Sequence, residues 1–136
     1  MSTVRICAGL ALLLVTIACA TPAAEVAGDD PEALLLYGEE VYHAHCARCH
    51  GVDGRGDGPE ARGLSHRPRD FVVADYEYKS TPPGDLPTDD DLDRTLVRGV
   101  IEEGMPSFRT LGADERRAVI HYIKSLADPA ARPSAS

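Results

Sequence analysis

The chain has 136 residues, with 14 basic and 22 acidic side chains, a formal charge of −8 at pH 7, two Phe and no Trp. That length allows one domain, and the acidic balance excludes nucleic acid as a partner and charge-driven attachment to anionic lipid. So few large aromatics leave a thin hydrophobic core.

Met1 to Arg5 carries one positive charge, Ile6 to Ala18 is almost wholly apolar, and small residues follow. The pattern predicts a secretory signal peptide over 1–20, because the apolar run is short for a bilayer span and lacks a basic stop-transfer flank. Two cleavage readings stand side by side. Ala18-Cys19-Ala20 is an A-x-A site, whereas Thr16-Ile17-Ala18-Cys19 has the form of a lipoprotein box with an unusual Thr in first position. On the second reading a lipid on Cys19 tethers the protein to a membrane. Residues 21–30 are small and polar and read as a flexible leader.

Asp30-Pro31-Glu32 is a helix start, with an Asp cap, Pro in the first turn and an acid behind it. Leu34, Gly38, Val41, Tyr42 and His45 then recur at helical spacing, which predicts a helix from Pro31 to His45. At its end stands Cys46-Ala47-Arg48-Cys49-His50. The C-x-x-C-H spacing lets each thiol add to one vinyl group of a porphyrin while the next residue offers its imidazole to the iron. A thioredoxin-like redox pair needs a βαβ setting, and a zinc site needs two further ligands at short spacing; neither pattern is present. The motif therefore predicts one covalent haem c, attached outside the cytoplasm. A porphyrin also supplies the apolar bulk that the chain lacks.

The glycine-rich stretch from Gly51 to Pro59 lacks the Lys-Ser/Thr ending of a P-loop and the spacing of a dinucleotide loop. As a calcium loop it has Arg55 at a ligand position and Leu64 where a bidentate Glu is required. Its glycines predict a tight turn passing close to the porphyrin edge. Residues 65–87 read as an irregular loop whose Tyr76, Tyr78, Lys79 and Arg side chains are candidates for hydrogen bonds to haem propionates.

Thr88 followed by Asp89, Asp90 and Asp91 forms a capping-box helix start rather than a metal site. Leu92, Leu96 and Val100 mark the buried side of that helix, and Gly99 its stop. Met105 follows in a Gly/Pro-bounded loop without helical periodicity, where a core gap-filler is not expected. A thioether is a soft, neutral donor suited to haem iron. Among the histidines, His43, His45 and His121 fall in predicted helices, which leaves His66 as the rival to Met105. The last helix is expected from Ala113 to Leu126, with Val119, Tyr122, Ile123 and Leu126 on one face. A disordered tail follows from 128 to 136.

Gly38 to His50, Met105-Pro106 and the segment from Glu115 to Lys124 together resemble class I monohaem cytochromes c of the bacterial periplasmic type. The resemblance implies an all-α cytochrome c fold, with about three to five helices wrapped around one covalent haem over residues 31–127. It also implies crossing N- and C-terminal helices, in which Gly38 and Tyr42 meet Val119 and Tyr122. Cys46 and Cys49 become the thioether sites, and His50 and Met105 the axial ligands. In this family a proline carbonyl often accepts the histidine's second N–H, and here Pro59 or Pro68 qualifies, with Pro59 the preferred of the two. The implied function is periplasmic one-electron transfer without catalysis, to redox partners bearing a positive docking patch. The alternative is the cytochrome subunit of a larger respiratory or dehydrogenase complex. A haem enzyme is disfavoured by the single C-x-x-C-H and the lack of a spare thiol, and a gas sensor by Met105.

Overall fold

The computed structural model describes residues 30–74 and 76–127. The signal and leader up to residue 29, with Cys19, and the tail from 128 lie outside the described residues. The described residues form α1 (Pro31–His45), the single turn α2 (Ala47–His50), α3 (Asp89–Arg98) and α4 (Ala113–Ser125). Short 3-10 turns cover Ala61–Gly63 and Ile101–Glu103, and the described residues contain no strand, so the fold is all-α.

Helix α1 begins as its sequence dictates, with the Asp30 carboxylate accepting from the Glu32 N–H at 3.2 Å and Pro31 opening the first turn. Leu34, Gly38, Val41 and Tyr42 are buried, whereas His45, on the last turn, is exposed. The buried side packs across α4. A Cβ on Gly38 would sit 2.1 Å from the Ala118 carbonyl oxygen and 2.9 Å from Tyr122 Cβ, so the crossing requires a residue without a side chain. Tyr122 meets Gly38 as expected, but Ala118 takes the place assigned to Val119, which is fully buried in the core cluster. Tyr42 fills the crossing, its ring 5.1 Å from that of Tyr122 and its hydroxyl donating to the Gly51 carbonyl at 2.7 Å. That bond fastens the start of the glycine-rich loop to α1.

The glycine-rich loop doubles back on its neighbours. Gly56 has φ +70°, and a Cβ there would lie 2.2 Å from the Pro68 carbonyl oxygen. The loop thus presses against the segment around Pro68, and the Phe71 N–H closes the contact on the Gly54 carbonyl at 2.7 Å.

Helix α3 starts at Thr88 with both halves of the capping box formed to Asp91. Asp91 also does more than cap. Its Oδ2 accepts from the Ser80 N–H at 3.0 Å and the Ser80 hydroxyl at 2.9 Å, so this 4% exposed carboxylate ties the preceding loop to the helix. Arg94 pairs with its other oxygen. The Ser80 N–H, together with the hydroxyls of Thr88 and Ser80 and the Thr88 N–H, holds the Asp91 carboxyl well below the usual carboxylate range, against the opposing effect of burial. Helix α4 is joined to α3 by Arg116 to Asp93 at 2.7 Å and Lys124 to Asp89 at 2.6 Å. It ends at Ser125, one residue before the expected Leu126.

Two outcomes follow. Gly38→Ala forces α1 and α4 apart and destabilises the protein by about 2–3 kcal/mol, read as a lower midpoint in denaturant titration. A carboxylate with a depressed folded pKa stabilises fully above its unfolded value near ~4 and loses that contribution as pH falls through the folded value. Asp91→Asn is therefore less stable than the parent at neutral pH, and thermal melts at stepped pH show the difference shrinking below about pH 4.

Candidate functional site

The end of α1, α2, the 60–78 segment, α3 and the turn after it enclose a cavity of about 530 Å³, the size of a cleft for a small organic group. Cys46, Cys49 and His50 line it from the α1–α2 junction, and Leu92, Leu96, Val100, Met105 and Phe108 from α3 and the chain beyond. The C-x-x-C-H stretch reaches this place because α1 ends at Cys46, whose N–H bonds the Tyr42 carbonyl at 2.8 Å, and one further turn carries His50 inward.

Cys46 is buried, which pushes its thiol up to about 12, with Cys49 adding to the shift. The His50 imidazole is lowered by burial, against a hydrogen bond to the backbone of Arg69 that acts the other way. His50 Nδ1 lies 3.1 Å from the Arg69 carbonyl oxygen. A carbonyl only accepts, so Nδ1 carries the proton and Nε2 keeps its lone pair, the form in which an imidazole binds a metal. The carbonyl is neither of the two expected. Pro59 is exposed, and the Pro68 carbonyl faces Gly56, so the chain offers the next carbonyl, that of Arg69. The Phe71 ring stacks on the other side of this grip, 4.4 Å from His50 and 16° from parallel. Asp70 steadies the turn between them by accepting from the Val72 N–H at 2.9 Å.

Met105 is fixed by a reciprocal backbone pair with Val100, 3.0 Å in each direction. Val100 is thus buried after the helix stop instead of within the helix. The Ser107 hydroxyl donates to the Val97 carbonyl at 2.6 Å and the Phe108 N–H to that of Leu96 at 2.7 Å. These bonds satisfy the open end of α3 and hold the Met105 turn at the cavity. His66 and His45 also line the cavity, both exposed, while His43 and His121 stand away from it.

The glycines of 51–58 do not border the cavity; Gly56 serves the close approach to Pro68 described above, Gly54 lies against Phe71 and Leu126, and Gly58 against the Ala47 and Arg48 carbonyls. Of the loop residues expected to meet an occupant, Lys79 instead donates to the Pro82 and Asp85 carbonyls, while Arg67, Arg69 and Tyr78 border the cavity with Tyr78 donating to Glu103. Tyr76 differs. It lines the cavity, its hydroxyl is buried without a protein partner, and burial pushes its pKa up, so it is a neutral donor left for whatever fills the space. A largely apolar cleft with two thiols, an imidazole, a thioether and one orphaned donor fits a haem.

The family model for cytochrome c matches residues 35–127. The chain belongs to the cytochrome c family. It is a class I-like cytochrome c, and the family carries its c-type haem covalently. A solved chain of the Kuenenia stuttgartiensis reducing HAO-like protein complex Kustc0457/Kustc0458 is similar at 38% identity and TM-score 0.63, over 67% of this cytochrome and 41% of that chain. This cytochrome therefore spans less than half the length of that relative. The KustC0563 c-type cytochrome is similar at 26% identity and TM-score 0.49, over 67% of this chain and 98% of that one. No curated protein matches the chain. Among the described residues, no helix is long and apolar enough to cross a membrane.

Proposed function

We propose that this cytochrome holds a single haem, bonded through Cys46 and Cys49 and ligated by His50 and Met105, and passes one electron at a time between redox proteins outside the cytoplasm. What carries the reading is that His50, with Nδ1 committed to the Arg69 carbonyl, and Met105, pinned by its backbone pair with Val100, border one cavity with both thiols. The haem supplies the one-electron ferrous/ferric couple. The protein's part is to keep both donors in place in either state. The His50 ring is clamped edge-on by Arg69 and face-on by Phe71, and the Met105 turn is closed on the end of α3. A sulfur donor and an apolar lining favour the ferrous state relative to a second imidazole.

Signal cleavage, either at Ala18-Cys19-Ala20 or before a lipidated Cys19, and a cytochrome domain over 31–127 complete the proposal. The formal charge of −8 suits a partner with a positive docking patch. A second reading, a cytochrome subunit within a larger redox complex, is favoured by the 38% identity to a chain of a reducing HAO-like complex, in which the matching part is 41% of a longer polypeptide. Co-purification from the native source separates the two.

The optical spectrum of the exported protein tests the ligation. The ferric protein is expected to show the methionine-to-iron charge-transfer band, and Met105→Ala to abolish it while the covalent haem survives a pyridine haemochrome assay. A parent protein with covalent haem but without that band, its spectrum unchanged in Met105→Ala and altered in His66→Ala, removes Met105 as a ligand.

A further inference from the structure

Arg69 touches both ligand-bearing segments. Its main-chain carbonyl accepts from His50 Nδ1 at 3.1 Å, and its guanidinium pairs with Glu77 and, at 3.3 Å, with Glu103. Glu103 ends the 3-10 turn that runs through Gly104 into Met105. Its side chain is only 19% exposed, and its second oxygen accepts from the Tyr78 hydroxyl at 2.9 Å. Both carboxylate oxygens of Glu103 are therefore held by residues of the 69–78 segment. Arg69, Glu77, Tyr78 and Glu103 all border the cavity.

The Met105 turn has little else to hold it there. Ile101 and Glu102 are exposed; the Leu64 side chain lies against Gly104, and the remaining hydrogen bonds that tether the turn are the Val100 pair and those at Ser107 and Phe108. These fasten the turn to α3, on its own side of the cavity. The Arg69–Glu103 pair reaches across. A charge-assisted bond between two half-buried groups is shielded from solvent and stronger than its exposed counterpart.

We propose that Arg69 is a positioning residue that straps the Met105 turn to the segment gripping His50, so that the distal side of the haem stays closed to outside ligands. The proposal rests on the His50/Met105 assignment above. An external ligand reaches the iron only in the fraction of molecules whose turn has opened, and its apparent affinity measures that fraction. The strap also divides cleanly between backbone and side chain. Arg69→Ala keeps the carbonyl that orients His50 and removes the arm that reaches Glu103, together with its pairing to Glu77.

The test is an imidazole titration of the ferric, haem-loaded protein, followed by loss of the methionine charge-transfer band. Arg69→Ala is expected to bind imidazole about fivefold to tenfold more tightly than the parent, with Arg69→Lys in between. Glu103→Ala is expected to match or exceed Arg69→Ala, since it also releases Tyr78. The double variant should bind no more tightly than Glu103→Ala alone, because the two residues act through one bond. Arg69→Ala or Glu103→Ala with the parent's affinity, or additive effects of the two, overturns the strap. If Arg69→Ala fails to load haem, Glu103→Ala, which leaves the 69–71 segment intact, decides the matter by the same affinity. A parent protein without the methionine band overturns the ligand assignment instead, and the strap with it.

Discussion

The His50 ring is held on its edge by the Arg69 carbonyl and on its face by Phe71, and much of the molecule is arranged to bring that short segment to it. Residues 69–71 lie far along the chain from α2, so something must fold the intervening loop back. Gly56 does this by letting the loop pass against the Pro68 carbonyl, and the Phe71 N–H locks it onto Gly54. Tyr42 reaches from the α1–α4 crossing to the Gly51 carbonyl and so anchors the start of the same loop. The helix crossing and the histidine grip are thus parts of one support.

The α3 side is built differently. The Met105 turn draws on the unfilled carbonyls at the end of α3, taken up by Ser107 and Phe108, and on the paired backbone of Val100. It is a compact hairpin on the end of a helix, whereas the His50 side is a loop wrapped over a helical turn. The proposed electron carriage through His50 and Met105 needs both to stay put while charge changes between them. Burial on one side and backbone pairing on the other supply that rigidity, with the charged cluster of Arg69, Glu77 and Glu103 spanning the two.

Much of this was readable in the residues, because the signals were local. Asp30-Pro31 and Thr88 through Asp91 announce helix starts by cap chemistry, and both helices begin there. The C-x-x-C-H spacing and Gly38 with Tyr42 are fixed patterns, and the crossing forms where they predict it. What was not readable depended on groups that carry no side-chain signature. A carbonyl that accepts from His50 looks the same on every residue, so a proline two candidates wide was expected and Arg69 was found. The loop glycines were assigned to the porphyrin edge and instead serve close contacts within the protein, Gly56 with the Pro68 carbonyl and Gly58 with those of Ala47 and Arg48. Asp91 showed its capping role in sequence but not its hold on Ser80, since that bond joins segments whose approach no periodicity encodes.

The central claim is that this fold closes around one covalently attached haem. Intact mass spectrometry of the exported protein under denaturing conditions tests it most directly. The account predicts the polypeptide mass plus one haem, retained through denaturation and lost when Cys46 and Cys49 are both replaced by serine. A mass equal to the polypeptide alone, or carrying more than one haem, contradicts it.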